Sequence, residues 1–151
     1  MKRHFLLLAI APILGACSKD KSGTVSPKTT MLTASKWRLT ARTMTSTSYG
    51  VTTVETTIQP CEVDDFQQFS PDKTFVRDEG ATKCGTTSLQ VLLGTWRFNS
   101  DETKLLTILS TSPNNETESI IKELTSTTLH LFTTSQGKNF TSTSDNTYTA
   151  F

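Results

Sequence analysis

The chain has 151 residues, 15 Lys and Arg against 14 Asp and Glu, and 30 threonines beside 16 serines. A hydrophobic share of 34% with only 19% charged residues excludes a coiled coil and a polytopic membrane protein, and a formal charge of +1 argues against nucleic acid as a partner. Threonine in this quantity favours half-exposed strands over helices, and the length suits one ordinary domain.

Lys2 and Arg3 precede a short apolar run, Phe5 to Leu14, that is too short to cross a bilayer as a helix and reads as a signal-peptide core. It ends in Leu14-Gly15-Ala16-Cys17, which resembles the lipobox of bacterial lipoproteins: a branched apolar residue, two small residues that fit a peptidase groove, then the cysteine that carries the lipid. The resemblance implies a signal peptide over 1–16, cleavage before Cys17 and anchoring to a membrane by acyl chains such as palmitate. Each buried CH₂ of such a chain contributes about 0.8 kcal/mol. Position 18 is Ser rather than the Asp that retains enteric lipoproteins at the inner membrane, which implies the outer membrane and leaves open its periplasmic or surface face. Residues 17–30 are polar and aperiodic and read as a lipidated, flexible tether, followed by a domain over 31–151.

Leu32 to Ser35 is compatible with one helical turn. Trp37, Leu39 and Ala41 then alternate with Lys36, Arg38, Thr40 and Arg42, which predicts a half-buried strand with the cations outside. Tyr49-Gly50 is a turn, and Val51 to Ile58 a return strand. Glu62 to Asp65 is a polar turn and Phe66 to Phe69 a strand. Ser70-Pro71-Asp72-Lys73 is a β-turn, with Thr74 to Arg77 continuing beyond it. Leu92, Gly94, Trp96 and Phe98 share a face, as do Leu106 and Ile108 on the next strand. Asn99 to Glu102 and Ser112 to Asn115 are turns. Ser119 to Leu124 and Thr127 to Thr134 are strands, Gln136-Gly137 turns the chain, and Phe140 to Phe151 closes the series with Tyr148. Eight or nine short strands with hairpin spacing predict an all-β, antiparallel, up-and-down barrel.

Beyond Cys17 two cysteines remain, Cys61 and Cys84. Outside the cytoplasm they are expected to form a disulfide, which contributes about 3 kcal/mol through loop closure. A zinc site, the rival reading, wants four closely spaced ligands that the surrounding sequence does not supply.

Three segments resemble the lipocalin-like domain of lipoproteins common in Bacteroidota. They are Leu32 to Leu39; Cys61 to Phe75 with Glu79-Gly80 and Cys84; and Gly94 to Phe98 with Leu105 to Ile108 and Ile121 to Leu131. Ser35 stands where the family carries glycine, and no arginine follows Arg97. The resemblance covers about residues 31–151 and implies a small barrel without assigned activity.

Catalytic groups are sparse. His130 is the only histidine beyond the signal segment, and it alternates against Leu129 and Leu131, so it is expected outside and no Ser-His-Asp or Cys-His set can be assembled. Glu62, Asp64, Asp65, Asp78 and Glu79 flank the cysteines. Such a cluster could hold Ca²⁺ or serve glycosidase chemistry, but it is read as a solvated loop balanced by Lys73, Arg77 and Lys83, with no metal and no cofactor. Trp37, Phe75, Trp96, Phe98 and Tyr148 are the residues that would line a ligand cavity. Aromatics at this spacing more often make core, so a filled or nearly filled interior is expected. The sequence thus predicts a monomeric, non-catalytic, membrane-tethered envelope protein that binds a small apolar ligand or a partner protein. The alternative is an adhesion or inhibitor module that acts through its outer face.

Overall fold

The computed structural model describes residues 25–151; the signal segment, Cys17 and the tether up to position 24 lie outside the described residues. The first element is a short helix, α1 (Pro27–Thr33). The Ser26 side chain accepts a hydrogen bond from the Thr29 N–H at 3.1 Å, and Pro27 opens the first turn, where its missing N–H is of no consequence. Residues 27–30, assigned to the tether by their polarity, are therefore helical, and Thr29 and Leu32 are buried.

Nine strands follow: β1 (Lys36–Ser48), β2 (Val51–Glu55), β3 (Phe66–Phe69), β4 (Thr74–Asp78), β5 (Val91–Phe98), β6 (Lys104–Leu109), β7 (Glu116–Leu124), β8 (Thr128–Gly137) and β9 (Phe140–Ala150). They pair antiparallel in the order β2-β1-β3-β4-β5-β6-β7-β8-β9, and β9 returns to pair with β1. β1 and β3 to β9 thus close an eight-stranded barrel, and β2 is an extra strand paired to the far end of β1 through Met44 to Ser48. Closure removes the unpaired edges that an open sheet would leave. β2 is shorter than the sequence pattern suggests, ending at Glu55 rather than Ile58, and all five of its residues are exposed. The β8–β9 hairpin turns at Lys138-Asn139, two residues later than Gln136-Gly137 suggests.

Trp37 and Trp96 point inward and are 0% and 2% exposed, as their alternation with cations requires. Outside, Lys36 lies over the Phe66 ring and Arg38 over the Phe151 ring, while Arg97 pairs with Glu116. The core gathers at one end of the barrel. Phe69 stacks on Phe75 and meets Trp96 edge-on, and Leu32, Trp37 and Leu129 complete it. Helix α1 touches both β3 and β7, which lie on opposite sides of an eight-stranded ring, so it spans and closes this end. The Trp37 indole N–H donates to the Leu32 carbonyl at 2.8 Å and pins the helix there. Gly94 admits the β6 backbone, since a Cβ at this position would lie 2.2 Å from the Ile108 carbonyl oxygen.

Two alternations depart from the sequence reading. In β1 the register against β9 shifts between Leu39 and Ala41, a bulge that reverses the parity of the rest of the strand. Ala41 faces outward and Arg42 turns in, the opposite of what strict alternation predicts. In β6 the cavity-facing residues are Leu105, Thr107 and Leu109. Leu106 and Ile108 do share a face, but it is the outer one, where Arg97 and Glu118 flank Leu106 in the register.

Candidate functional site

The half of the barrel away from α1 is not filled. It holds a cavity of about 280 Å³, which corrects the expectation of a packed interior. The cause is side-chain size. The inward positions there include Thr117 and Ser119 of β7, Thr133 of β8 and Ser144 of β9, which are too short to meet across an eight-stranded ring. Phe75, Leu105, Leu109 and Leu131 form an apolar wall, and Gln67, Arg77, Asn146 and Tyr148 a polar one. The Gln67 amide donates to the Tyr148 hydroxyl at 3.2 Å, and the Ser119 and Thr133 hydroxyls bond one another at 2.7 Å. The Asn146 side-chain oxygen is buried and has no hydrogen-bond partner among the described residues. Burial pushes the Tyr148 phenol above its ordinary range, so it stays neutral.

Of the five aromatic residues singled out by sequence, Phe75 and Tyr148 line this cavity. Trp37 and Tyr148 line a smaller side pocket of about 30 Å³ that shares Gln67 and Arg77 with it. Trp96 and Phe98 meet edge-on and line neither pocket. β7 and β8 pair only from Ser119 and Thr133 toward the closed end, so they splay at the other. A gap of about 290 Å³ between them shares Thr117 and Thr133 with the interior cavity.

Charge enters through the bulge in β1. Arg42 and Glu62 form an ion pair at 2.9 Å, with side chains only 18% and 17% exposed. Burial works to raise the Glu62 carboxyl, but hydrogen bonds from the Gln59 N–H and from Arg42 outweigh it and hold it below the ordinary carboxylate range. Beside them, burial pushes the Asp65 carboxyl up. The charges of Glu79, Glu62 and Asp64 add to this, against the pull of Arg77. Arg77 faces Asp65 across the small pocket and makes no direct ion pair among the described residues.

Cys61 and Cys84 are bonded, with Cα atoms 5.0 Å apart, and tie the loop before β3 to the loop between β4 and β5. The acids around them are largely engaged in building these loops. Asp64 accepts from the N–H groups of Ala81 and Thr82 at 2.7 and 3.0 Å, and Asp78 accepts from the Gly80 N–H and from Gln90. Among the described residues no group of three or more His, Cys, Asp or Glu is arranged to hold a metal ion. Lys73 and Lys83 do not balance these acids: Lys73 lies over the Trp96 ring and Lys83 donates to the Ser88 carbonyl. His130 faces outward, and a partner that sequence spacing could not show, Asp145 of β9, bonds its Nε2 and also takes Lys122 at 2.6 Å.

No described helix is long and apolar enough to cross a membrane. The chain matches no known protein-family model and no curated protein.

Proposed function

We propose that this protein is a lipid-anchored, non-catalytic binding module of the bacterial cell envelope, a lipocalin-like barrel that holds a small molecule in its interior. The observation that carries the binding half of this reading is the cavity of about 280 Å³ lined by residues from six strands of the barrel. It approaches the lower end of the volumes usual for small-molecule sites, and it combines an apolar wall with a few convergent polar groups, as such sites do. The anchoring half rests on the basic n-region, apolar core and Leu14-Gly15-Ala16-Cys17.

Native mass spectrometry of the protein extracted from the membranes of its own host tests the first half. A reproducible non-covalent adduct of small-molecule mass is expected, and a bare polypeptide in every preparation contradicts it. Cys17→Ala tests the second half. The variant should leave the membrane fraction or accumulate as precursor, and retention on membranes after a high-salt wash refutes the anchor.

A second reading, docking of a protein through the outer face, is favoured by β2. Its outer edge pairs with nothing among the described residues, and it exposes Val51 and Val54 at 68% and 64%. Co-purification of a stoichiometric protein partner that Val54→Lys abolishes would support it over the first.

A further inference from the structure

We propose that the interior cavity takes a small, neutral, polyhydroxylated molecule, of the size of one sugar ring, rather than a purely apolar one. This rests on the reading of the cavity as a binding site and names its ligand class. The cavity is amphipathic by construction. Its hydroxyl groups come from four neighbouring strands: Thr107 on β6, Thr117 and Ser119 on β7, Thr133 on β8 and Ser144 on β9. Each hydroxyl both donates and accepts. The hydrogen bond between Ser119 and Thr133 fixes two of them and still leaves lone pairs for a ligand.

With them stand polar groups that lack a full set of partners. The buried Asn146 oxygen accepts from nothing among the described residues, and the Arg77 guanidinium, an obligate donor, makes no direct ion pair there. A hydrocarbon in this space would leave the hydroxyls and the guanidinium that line it without partners, whereas a ring carrying several hydroxyls meets donors and acceptors at once. The apolar wall of Phe75, Leu105, Leu109 and Leu131 suits the C–H face of such a ring.

Neutrality follows from the surrounding charges. Arg42 is already paired with Glu62, and Arg77 is faced by Asp65 across the adjoining pocket, so the ring of groups is balanced and does not call for a net charge on the ligand. Size follows from the volume. About 280 Å³ lies near the lower end of the volumes usual for small-molecule sites and suits a ligand of one ring.

The test uses the folded protein and four probes: methyl β-D-glucopyranoside, myo-inositol, 1-hexanol and hexanoate. Saturation-transfer NMR should show transfer to the two polyols and mutual competition between them, with neither hexanol nor hexanoate displacing them. Asn146→Leu should weaken polyol binding at least tenfold, because a site built on hydrogen bonds discriminates through groups left unpaired. Ser119→Ala should weaken it in the same direction and guards against misfolding of the first variant. Both should be checked by an unchanged unfolding midpoint.

If hexanol or hexanoate binds in preference to the polyols, the ligand class is wrong while the cavity remains a binding site. Polyol binding that both variants leave unchanged places the contact on the outer surface and overturns the proposal. If no probe binds, the proposal falls, and an empty protein in the native mass spectra then removes the cavity reading as well.

Discussion

Replacing Trp37 by alanine tests how the barrel and its helical plug depend on each other. The side chain is fully buried, and its indole N–H is bonded to the Leu32 carbonyl near the end of α1. A buried tryptophan removes about 150–250 Å² from water, which at about 25 cal/mol per Å² corresponds to roughly 4–6 kcal/mol for the whole side chain. Truncation to alanine is expected to cost about 3–5 kcal/mol, cavity included. The lost hydrogen bond and the Leu32 carbonyl left without its donor add about 1–2 kcal/mol. A domain of this size holds about 5–15 kcal/mol in total, so Trp37→Ala should be barely folded. Trp37→Phe keeps most of the apolar area and loses only the donor, so it should fall about 1–3 kcal/mol below wild type. Arg38→Ala, one residue away on the outer face, should change stability by under about 1 kcal/mol. The assay is urea unfolding followed by far-UV circular dichroism. At an m-value of about 1.5 kcal/mol per M, the Trp37→Ala midpoint should drop by about 3 M. A shift under about 0.5 M would show that Trp37 does not hold the core together, and the account of the closed end would be wrong.

Other consequences are as direct. Gly94→Ala should destabilise by about 3 kcal/mol, because its Cβ would meet the Ile108 carbonyl oxygen at 2.2 Å, whereas Gly50→Ala meets nothing within 4 Å and should cost only about 1 kcal/mol for its positive φ; the two urea midpoints give the comparison. Replacing Cys61 and Cys84 together by serine should lower stability by about 3 kcal/mol, and a thiol count on the unreduced folded protein should find neither free. Asp65→Asn should raise the unfolding midpoint at neutral pH. Its carboxyl is held above the ordinary range in the folded state, so the native protein binds that proton more tightly and loses stability as pH rises through the interval between the two values. The gain should vanish below the ordinary carboxylate range, and a gain independent of pH would show that titration is not its source. Glu62 acts oppositely. Its depressed carboxyl contributes stability that is present above the unfolded-state value and lost as pH falls through the folded one, so Glu62→Gln should flatten the acid limb of the stability curve.

Much of the barrel can be read from local chemistry. Trp37 between Lys36 and Arg38, and Trp96 beside Arg97, commit their strands to one orientation because neighbouring residues on a strand point to opposite faces and the large apolar ring takes the inner one. Tyr49-Gly50, with φ values of 49° and 82°, and the Ser70 to Lys73 turn follow from turn residues alone.

What stays hidden in the sequence is set by partners distant along the chain. The bulge after Leu39 has no glycine or proline to mark it, yet it reverses the parity of β1 and brings Arg42 to Glu62. β6 carries Leu105, Leu106, Ile108 and Leu109, apolar on both faces, so periodicity alone cannot choose its inner side. The cavity is invisible for a related reason. Each inward serine or threonine looks ordinary on its own strand, and only the closed ring shows that small side chains face one another across it. The Asp145 partner of His130 likewise lies on the neighbouring strand, 15 residues on.

The threonine methyl groups offer the most direct test of the barrel interior as the binding site. In carbon–proton NMR spectra of the folded protein, titration with methyl β-D-glucopyranoside should shift the methyl signals of Thr107, Thr117 and Thr133, which line the cavity. Those of Thr45, Thr47 and Thr143, which alternation places on the outer face of the same barrel, should stay in place. Shifts confined to the outer threonines, with the three inner methyls unmoved, would contradict an interior site.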